Sequence, residues 1–199
     1  MTIKYIIFDN NGVLTTSLHE TVSSACAKHL GVSKSTIERA ILRRSVMLDS
    51  GRCTDVKVSA VILKDLGLDG DPVAFSRVRN AAFVNKPNVQ RFTIALSKKY
   101  KLALLSNFGD GHDVANKRWK LERIIPKSRQ FVSSKIGMVK PHKNIFRYAL
   151  RALNVRAREV IFIDDNSQNI AVAKSLGIDA IRFATLPKLR TALSLRGIR

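Results

Sequence analysis

No stretch of this 199-residue chain approaches the roughly 20 apolar residues that a membrane-spanning helix needs. The early apolar run Tyr5-Ile6-Ile7-Phe8 is too short for a secretion signal and ends in Asp9. Cysteine is scarce: Cys26 and Cys53 stand far apart, without metal-ligand spacing, and suit a reducing compartment better than a disulfide framework. Aromatic residues make up 7%, and no basic run is interleaved with the rings on which single strands of nucleic acid stack. Gly/Ser linkers, internal repeats and low-complexity tracts are missing as well. These absences predict a soluble, cytoplasmic protein with no membrane partner.

Acidic residues are also few, 15 against 35 Lys and Arg, for a net charge of +20 and a pI near 10.6. The segment from Ala115 to Arg158 is the most basic, with 13 basic residues and one acid, Glu122. Such a field attracts polyanions and steers phosphorylated substrates. Nucleic-acid binding is therefore possible but not favoured, because many of these side chains must be solvated helix faces.

With 45% apolar residues, the chain can bury one core and a small accessory lobe. Residues 4–8, 102–106 and 159–163 read as buried parallel strands, and 130–133 and 179–183 as two weaker ones. Helical spacing covers 88–98, 142–153 and 167–175, and 186–199 reads as a short basic amphipathic helix. Strand and helix in alternation predict an α/β doubly wound parallel sheet. Between the first two strong strands, residues 15–86 contain no strand pattern and read as helices. Asp71-Pro72 provides an N-cap and first-turn proline, Ser35-Thr36-Ile37-Glu38 fits a capping box, and Thr54-Asp55 opens a run ending near Gly67. The expected division is a core of 1–14 and 87–199 with a small α-helical cap, 15–86, lying over the strand ends as a lid.

Four short segments stand out: Phe8-Asp9-Asn10-Asn11-Gly12-Val13-Leu14-Thr15, Leu105-Ser106-Asn107, Lys140-Pro141 and Phe162-Ile163-Asp164-Asp165-Asn166. Three of them follow β-prone runs, so they would project from the same carboxyl edge of the sheet, where open α/β folds bind ligands. This ordered set resembles the haloacid dehalogenase superfamily over nearly the whole chain. The helical insertion is similar to the cap of its small phosphatases. The detailed motif forms resemble the branch containing sugar-1-phosphate phosphatases and the phosphatase domain of epoxide hydrolases.

The resemblance implies a role for each segment. Asp9 would attack phosphorus and form an aspartyl-phosphate. Ser106 and Asn107 would hold phosphate oxygens, and Lys140 would offset the charge gathered there. Asp164 and Asp165, with Asp9 and the backbone carbonyl of Asn11, would bind Mg²⁺, Asp165 as the more direct ligand and Asn169 as an orienting contact. The expected substrate is a small phosphorylated metabolite. One position departs from the family pattern: Asn11 stands where efficient phosphatases carry a second Asp. An amide cannot serve as the general acid and base, a function worth about 10² to 10⁴ in rate. Alkyl esters should therefore be slow substrates unless another group, such as Asp110, His112 or Asp113, provides the proton. Two other readings remain, a non-catalytic phosphate- or nucleic-acid-binding protein on the same fold and a metal-independent haloacid dehalogenase. Arg43, Arg44, Arg52 and Lys57 are candidates for the inner face of the cap, though a solvated face accounts for them more simply.

Overall fold

The computed structural model describes residues 2–198. Its strands, numbered in chain order, are β1 (Tyr5–Phe8), β2 (Lys101–Ser106), β3 (Gln130–Val132), β4 (Val160–Asp164) and β5 (Asp179–Arg182). They form one sheet in the order β3-β2-β1-β4-β5, each neighbouring pair parallel. Phe8 lies opposite Leu104 and Ile163, so Asp9 and Asp164 stand level at the ends of adjacent strands. The strand order reverses between β1 and β4, and crevices of this kind are where open α/β sheets bind ligands.

Helices follow in chain order as α1 (Ser23–Leu30), α2 (Lys34–Asp49), α3 (Asp55–Asp65), α4 (Pro72–Ala81), α5 (Pro87–Ser97), α6 (His112–Trp119), α7 (Ser133–Ile136), α8 (Lys143–Ala152), α9 (Ser167–Ser175) and α10 (Leu186–Ser194). Side chains alternate across each strand, and both faces of the sheet are covered. Ile6, Phe8, Leu102, Leu104, Ile161 and Ile163 pack with Val89 and Leu96 of α5 and Leu189 and Leu193 of α10. The alternate residues Ile7, Ala103, Leu105 and Phe162 pack with Ile145, Phe146 and Ala149 of α8 and Ile170 and Ala173 of α9. Burial on both faces is why these strands read as continuous apolar runs.

Helices α1 to α4 bury a separate cluster that includes Val22, Cys26, Ile37, Ile41, Val58, Ile62 and Phe75. Thr15 bridges Asn85 in antiparallel fashion and the Thr16 N–H donates to the Val84 carbonyl at 2.8 Å, so two neighbouring chain segments connect this lobe to the sheet. Thr54 and Asp71 cap α3 and α4 as expected. The Ser35 capping box is not formed. Helix α2 starts earlier, with Ser33 as N-cap accepting from the Thr36 N–H, and Glu38 instead pairs with His19 at 2.6 Å. The reciprocal box occurs at Ser17 and Glu20. Helix α6, which the sequence pattern did not predict, has five of its eight residues polar or charged and buries only four. The amphipathic tail stops at Ser194. Among the described residues no helix is long and apolar enough to cross a membrane.

Phe75 is fully buried at the centre of the lobe. Phe75→Ala should cost about 3–5 kcal/mol, read as a fall in the urea midpoint; a loss below about 1 kcal/mol would mean that the lobe does not depend on this ring.

Candidate active site

β1 delivers Asp9, a buried residue whose backbone N–H donates to the Ile163 carbonyl at 2.8 Å. β4 delivers Asp164, fully buried, followed by the half-buried Asp165. Carboxylate oxygens of Asp9, Asp164 and Asp165 all lie within 4.8 Å of one another. The turn after β1 makes this approach possible. Gly12 has a φ of +88°, and a side-chain carbon there would overlap the Asp165 carboxylate.

Lys140 enters from the loop before α8, and its Nζ lies 2.8 Å from Asp9 Oδ1 and 2.7 Å from Asp164 Oδ2. Of the 13 basic residues between Ala115 and Arg158, it is the one that is buried. Asn107 holds it in place: the Lys140 N–H donates to Asn107 Oδ1, and Asn107 Nδ2 donates to the Lys140 carbonyl, both at 2.9 Å. That side chain is thereby committed to positioning the lysine. Asp164 is equally constrained, accepting from the Asn166 N–H at 2.8 Å and from Asn169 Nδ2 at 2.9 Å. Asp9 Oδ1 accepts from the Asn10 N–H at 2.7 Å as well as from Lys140, which leaves Oδ2 without a partner among the described residues. The Ser106 hydroxyl, at the end of β2, is buried with no hydrogen-bond partner. Buried hydroxyls rarely remain unpaired, so this one is an open donor at the same end of the sheet as Asp9.

The charges do not balance. One ammonium faces three carboxylates, and two carboxylates 4.8 Å apart repel by about 3.5 kcal/mol at an effective dielectric near 20. Burial first, and then Asp164 and Asp165, push the Asp9 carboxyl up to about 8 against the pull of Lys140. Burial and Asp164 also raise Asp165. Burial alone would lower Lys140, but the charges of Asp164 and Asp9 outweigh it and hold the ammonium protonated above its ordinary range. The cluster is short of positive charge, which either a proton on Asp9 or a cation can supply. Its donors are hard oxygens, the kind that suits an alkaline-earth ion.

A cavity of about 150 Å³ opens between the helical lobe and the sheet edge. Asn11 and Asn107 line it from below, and Leu48, Asp49, Arg79 and Phe83 are among the residues above. Asn11 points its side-chain oxygen at Thr15 Oγ1 (3.1 Å) and Asn10 Nδ2 (3.3 Å). Arg79 and Lys140 are the buried Lys/Arg side chains among the described residues. Arg79 pairs with Asp55, which also accepts from Asn80. Sequence reasoning missed Arg79, and no local pattern marks it.

The other candidates lie elsewhere. Asp110 accepts from the Asp55 N–H at 2.9 Å, Asp113 pairs with Lys135 at 2.6 Å, and neither lines the cavity. His112 is buried against Phe108, neither ring nitrogen has a hydrogen-bond partner among the described residues although Asp113 Oδ1 lies 3.8 Å from Nδ1, and burial, reinforced by Lys135, drops it to about 4. Arg43 is exposed and Arg44 pairs with Asp65 at the surface. Arg52 and Lys57 are exposed along a separate hollow.

A family model for haloacid dehalogenase-like hydrolases matches residues 3–177. The chain belongs to this family. Among curated proteins it is 25% identical over 193 residues to the D-ribitol-5-phosphate phosphatase of Bacteroides thetaiotaomicron, covering 90% of this chain and 91% of that protein. It is 30% identical over 113 residues to the bifunctional epoxide hydrolase 2 of Mus musculus, covering 54% of this chain. The chain spans only about a tenth to a fifth of the length of the first curated relatives it matches. Its fold is similar to a magnesium complex of a family enzyme from B. thetaiotaomicron, with a TM-score of 0.80 at 23% identity, covering 96% of this chain and 99% of that one. It is also similar to the L-2-haloacid dehalogenase of Xanthobacter autotrophicus, with a TM-score of 0.72 at 21% identity, covering 98% and 83%. The chain thus joins membership of the haloacid dehalogenase-like hydrolase family, and a phosphatase among its relatives, to an acidic cluster at its sheet edge.

Replacing Lys140 by Met would leave Asp9 and Asp164 facing each other without their shared ammonium. We expect a loss of about 3–5 kcal/mol in chelator at pH 8. The loss should be smaller at pH 5, where Asp9 is protonated and less charge is stranded. Urea unfolding at the two pH values checks this, and an equal loss at both would contradict it.

Proposed function

We propose that this chain is a Mg²⁺-dependent phosphatase acting on a small phosphorylated metabolite through an aspartyl-phosphate on Asp9. The observation that carries this reading is the three-carboxylate cluster, short of positive charge, around a buried lysine, with an unpartnered serine hydroxyl at the same end of the sheet. Asp9 Oδ2 is the attacking oxygen, being the one that neither Lys140 nor the Asn10 N–H occupies. The Ser106 hydroxyl and the backbone N–H of Asn107 hold phosphate oxygens, and Lys140 offsets their charge. Asp9, the Asn11 carbonyl, Asp164 and Asp165 would hold the cation. Asp164 spends its oxygens on Lys140, Asn166 and Asn169, which favours Asp165 as the freer ligand. When bound, Mg²⁺ supplies charge neutralisation and orientation of the phosphoryl group.

Residues 15–86 act as a cap domain on the core of 1–14 and 87–199, and the cavity they enclose selects the substrate. Its volume, about 150 Å³, suits a leaving group of only a few carbons. The Arg79 charge is neutralised by Asp55, so a neutral polyhydroxy group fits better than a second anion. The named activity of the B. thetaiotaomicron relative, a polyol phosphate phosphatase, supports the same class. The two unpaired cysteines agree with a cytoplasmic setting. The dehalogenase reading shares the fold but has no use for a third carboxylate beside Asp9.

Purified protein with Mg²⁺ should hydrolyse acetyl phosphate and p-nitrophenyl phosphate, whose leaving groups need little help from an acid. Asp9→Asn should remove all turnover. Halide release from a 2-haloacid in chelator, or salt-dependent oligonucleotide binding without any phosphate turnover, would overturn the assignment.

Cation binding should also be visible without activity. Folding keeps a proton on Asp9 up to about pH 8, so Asp9 stabilises the metal-free fold most below pH 4 and progressively less up to pH 8. A cation needs the ionised carboxylate. Near 100 times its Kd it would stabilise by about 2.7 kcal/mol, or roughly 5–10 °C in Tm for a chain of this size. Saturating Mg²⁺ at pH 8 should reach that range, with little shift at pH 5. A shift independent of pH, or none at pH 8, counts against the site.

A further inference from the structure

We propose that Asp49, on the last turn of α2 in the cap, donates the proton to the leaving group that Asn11 cannot donate. This rests on the phosphatase reading above and adds to it the missing proton carrier.

Three observations place Asp49 there. It lines the same cavity as Asn11 and Asn107, the residues that flank the reacting carboxylate and its lysine. Neighbours on either side of it are pinned to the core. Leu48 lies against Gly109 in the loop after β2, and Gly51 packs so closely on the Ser134 carbonyl that a side-chain carbon would overlap it. The carboxyl is therefore carried at the seam between cap and core. Finally, among the described residues Asp49 has no hydrogen-bond or ion-pair partner, and it is half-buried rather than sealed away. Most cap carboxylates are engaged otherwise: Asp55 with Arg79, Asp65 with Arg44, Glu38 with His19.

The position is a poor one for structural purposes. A carboxylate on the last turn of a helix faces the negative end of its dipole and destabilises the helix. The charged groups that face Asp49 are Arg79 from α4, Lys140 from the loop before α8, and Asp55 from α3 across the cavity. Burial outweighs the pull of Arg79 and Lys140 and brings its carboxyl to about 7, so that near neutral pH it can both give up and take back a proton.

The chemistry balances as follows. Asp9 Oδ2 forms a bond to phosphorus as the bond from phosphorus to the ester oxygen breaks; that oxygen takes the proton of Asp49 and leaves as an alcohol. Asp49, now ionised, accepts a proton from water as the water oxygen attacks phosphorus. The bond to Asp9 breaks, inorganic phosphate forms, and Asp49 is protonated again.

The test compares kcat/KM, which reports the first irreversible step, for p-nitrophenyl phosphate and for ribitol 5-phosphate or glycerol 3-phosphate, with Mg²⁺ present. The aryl leaving group needs little acid and the alkyl ones need it. Asp49→Asn should reduce the alkyl value by about 10²-fold, at least about tenfold more than the aryl value. It should also abolish a fall in the alkyl pH profile that begins near pH 7. Adding Asn11→Asp to Asp49→Asn should restore most of the alkyl turnover, which a merely misfolded cap would not allow. Equal losses on both esters, no loss on either, failure of the double variant to recover, or a wild type that cleaves only the aryl ester would overturn the role of Asp49 while leaving the phosphatase standing. Absence of turnover on every ester and on acetyl phosphate would instead remove the parent reading, and this proposal with it.

Discussion

One buried ammonium shared between two buried carboxylates organises this molecule. Lys140 reaches Asp9 on β1 and Asp164 on β4, the two strands between which the sheet order reverses. It can do so because the Asn107 amide clamps its backbone from the end of β2. Three strands and one loop thus converge on a single charge, and the arrangement still lacks positive charge. A pair of opposite charges would have been a neutral strut. Two carboxylates on one ammonium, with a third held close by the space at Gly12, make a site that retains a proton or accepts a cation. The shortage of charge links the fold to hydrolytic chemistry more directly than any individual residue does.

The helical lobe has a second constraint. Its own apolar cluster supplies its cohesion, so its inner surface is free to carry polar groups that a core would not tolerate. Arg79 and Asp55 satisfy one another there, and together they add polarity without net charge. Asp49 has no such partner. Removing the acid from position 11 and presenting one from the cap would couple proton donation to closure of the two parts. With the acid on the core, by contrast, the site would be complete whether or not the cap is seated.

The sheet was legible because both of its faces are buried. Continuous apolar runs such as Val160-Ile161-Phe162-Ile163 admit few other readings, and the residues following them had to gather at one edge. The four segments at that edge come together as expected, down to Asn169 beside Asp164. Less was legible in the lobe. Ser33 and Ser35 both precede helical sequence, and tertiary pairing of Glu38 with His19 removed the glutamate that would have made the Ser35 box. Helix α6 escaped notice because its polar sequence, His112-Asp113-Val114-Ala115-Asn116-Lys117-Arg118-Trp119, has little apolar periodicity. Asp49 left one physical trace, an acid at the wrong end of a helix. Arg79 left none, because in a chain with 35 Lys and Arg only burial separates a working side chain from a solvated one.

Burial also settles how the +20 charge relates to the site. Basic residues of the Ala115–Arg158 segment are exposed, apart from the half-buried Arg129 and the buried Lys140. An exposed charge acts over about one Debye length, roughly 8 Å at physiological salt, whereas Lys140 acts at contact distance in a medium that screens it little. The surface field can raise the encounter rate with a phosphate dianion but does not discriminate one phosphate from another. Discrimination falls to the cavity, where the Arg79 charge is cancelled, and to the carboxylates, which repel an anion until Lys140 and a cation offset them. On the phosphatase reading proposed above, a basic exterior and an acid-rich interior would have separate tasks: the first would gather phosphorylated molecules, and the second would admit only those whose phosphate can replace the charge balance it disturbs.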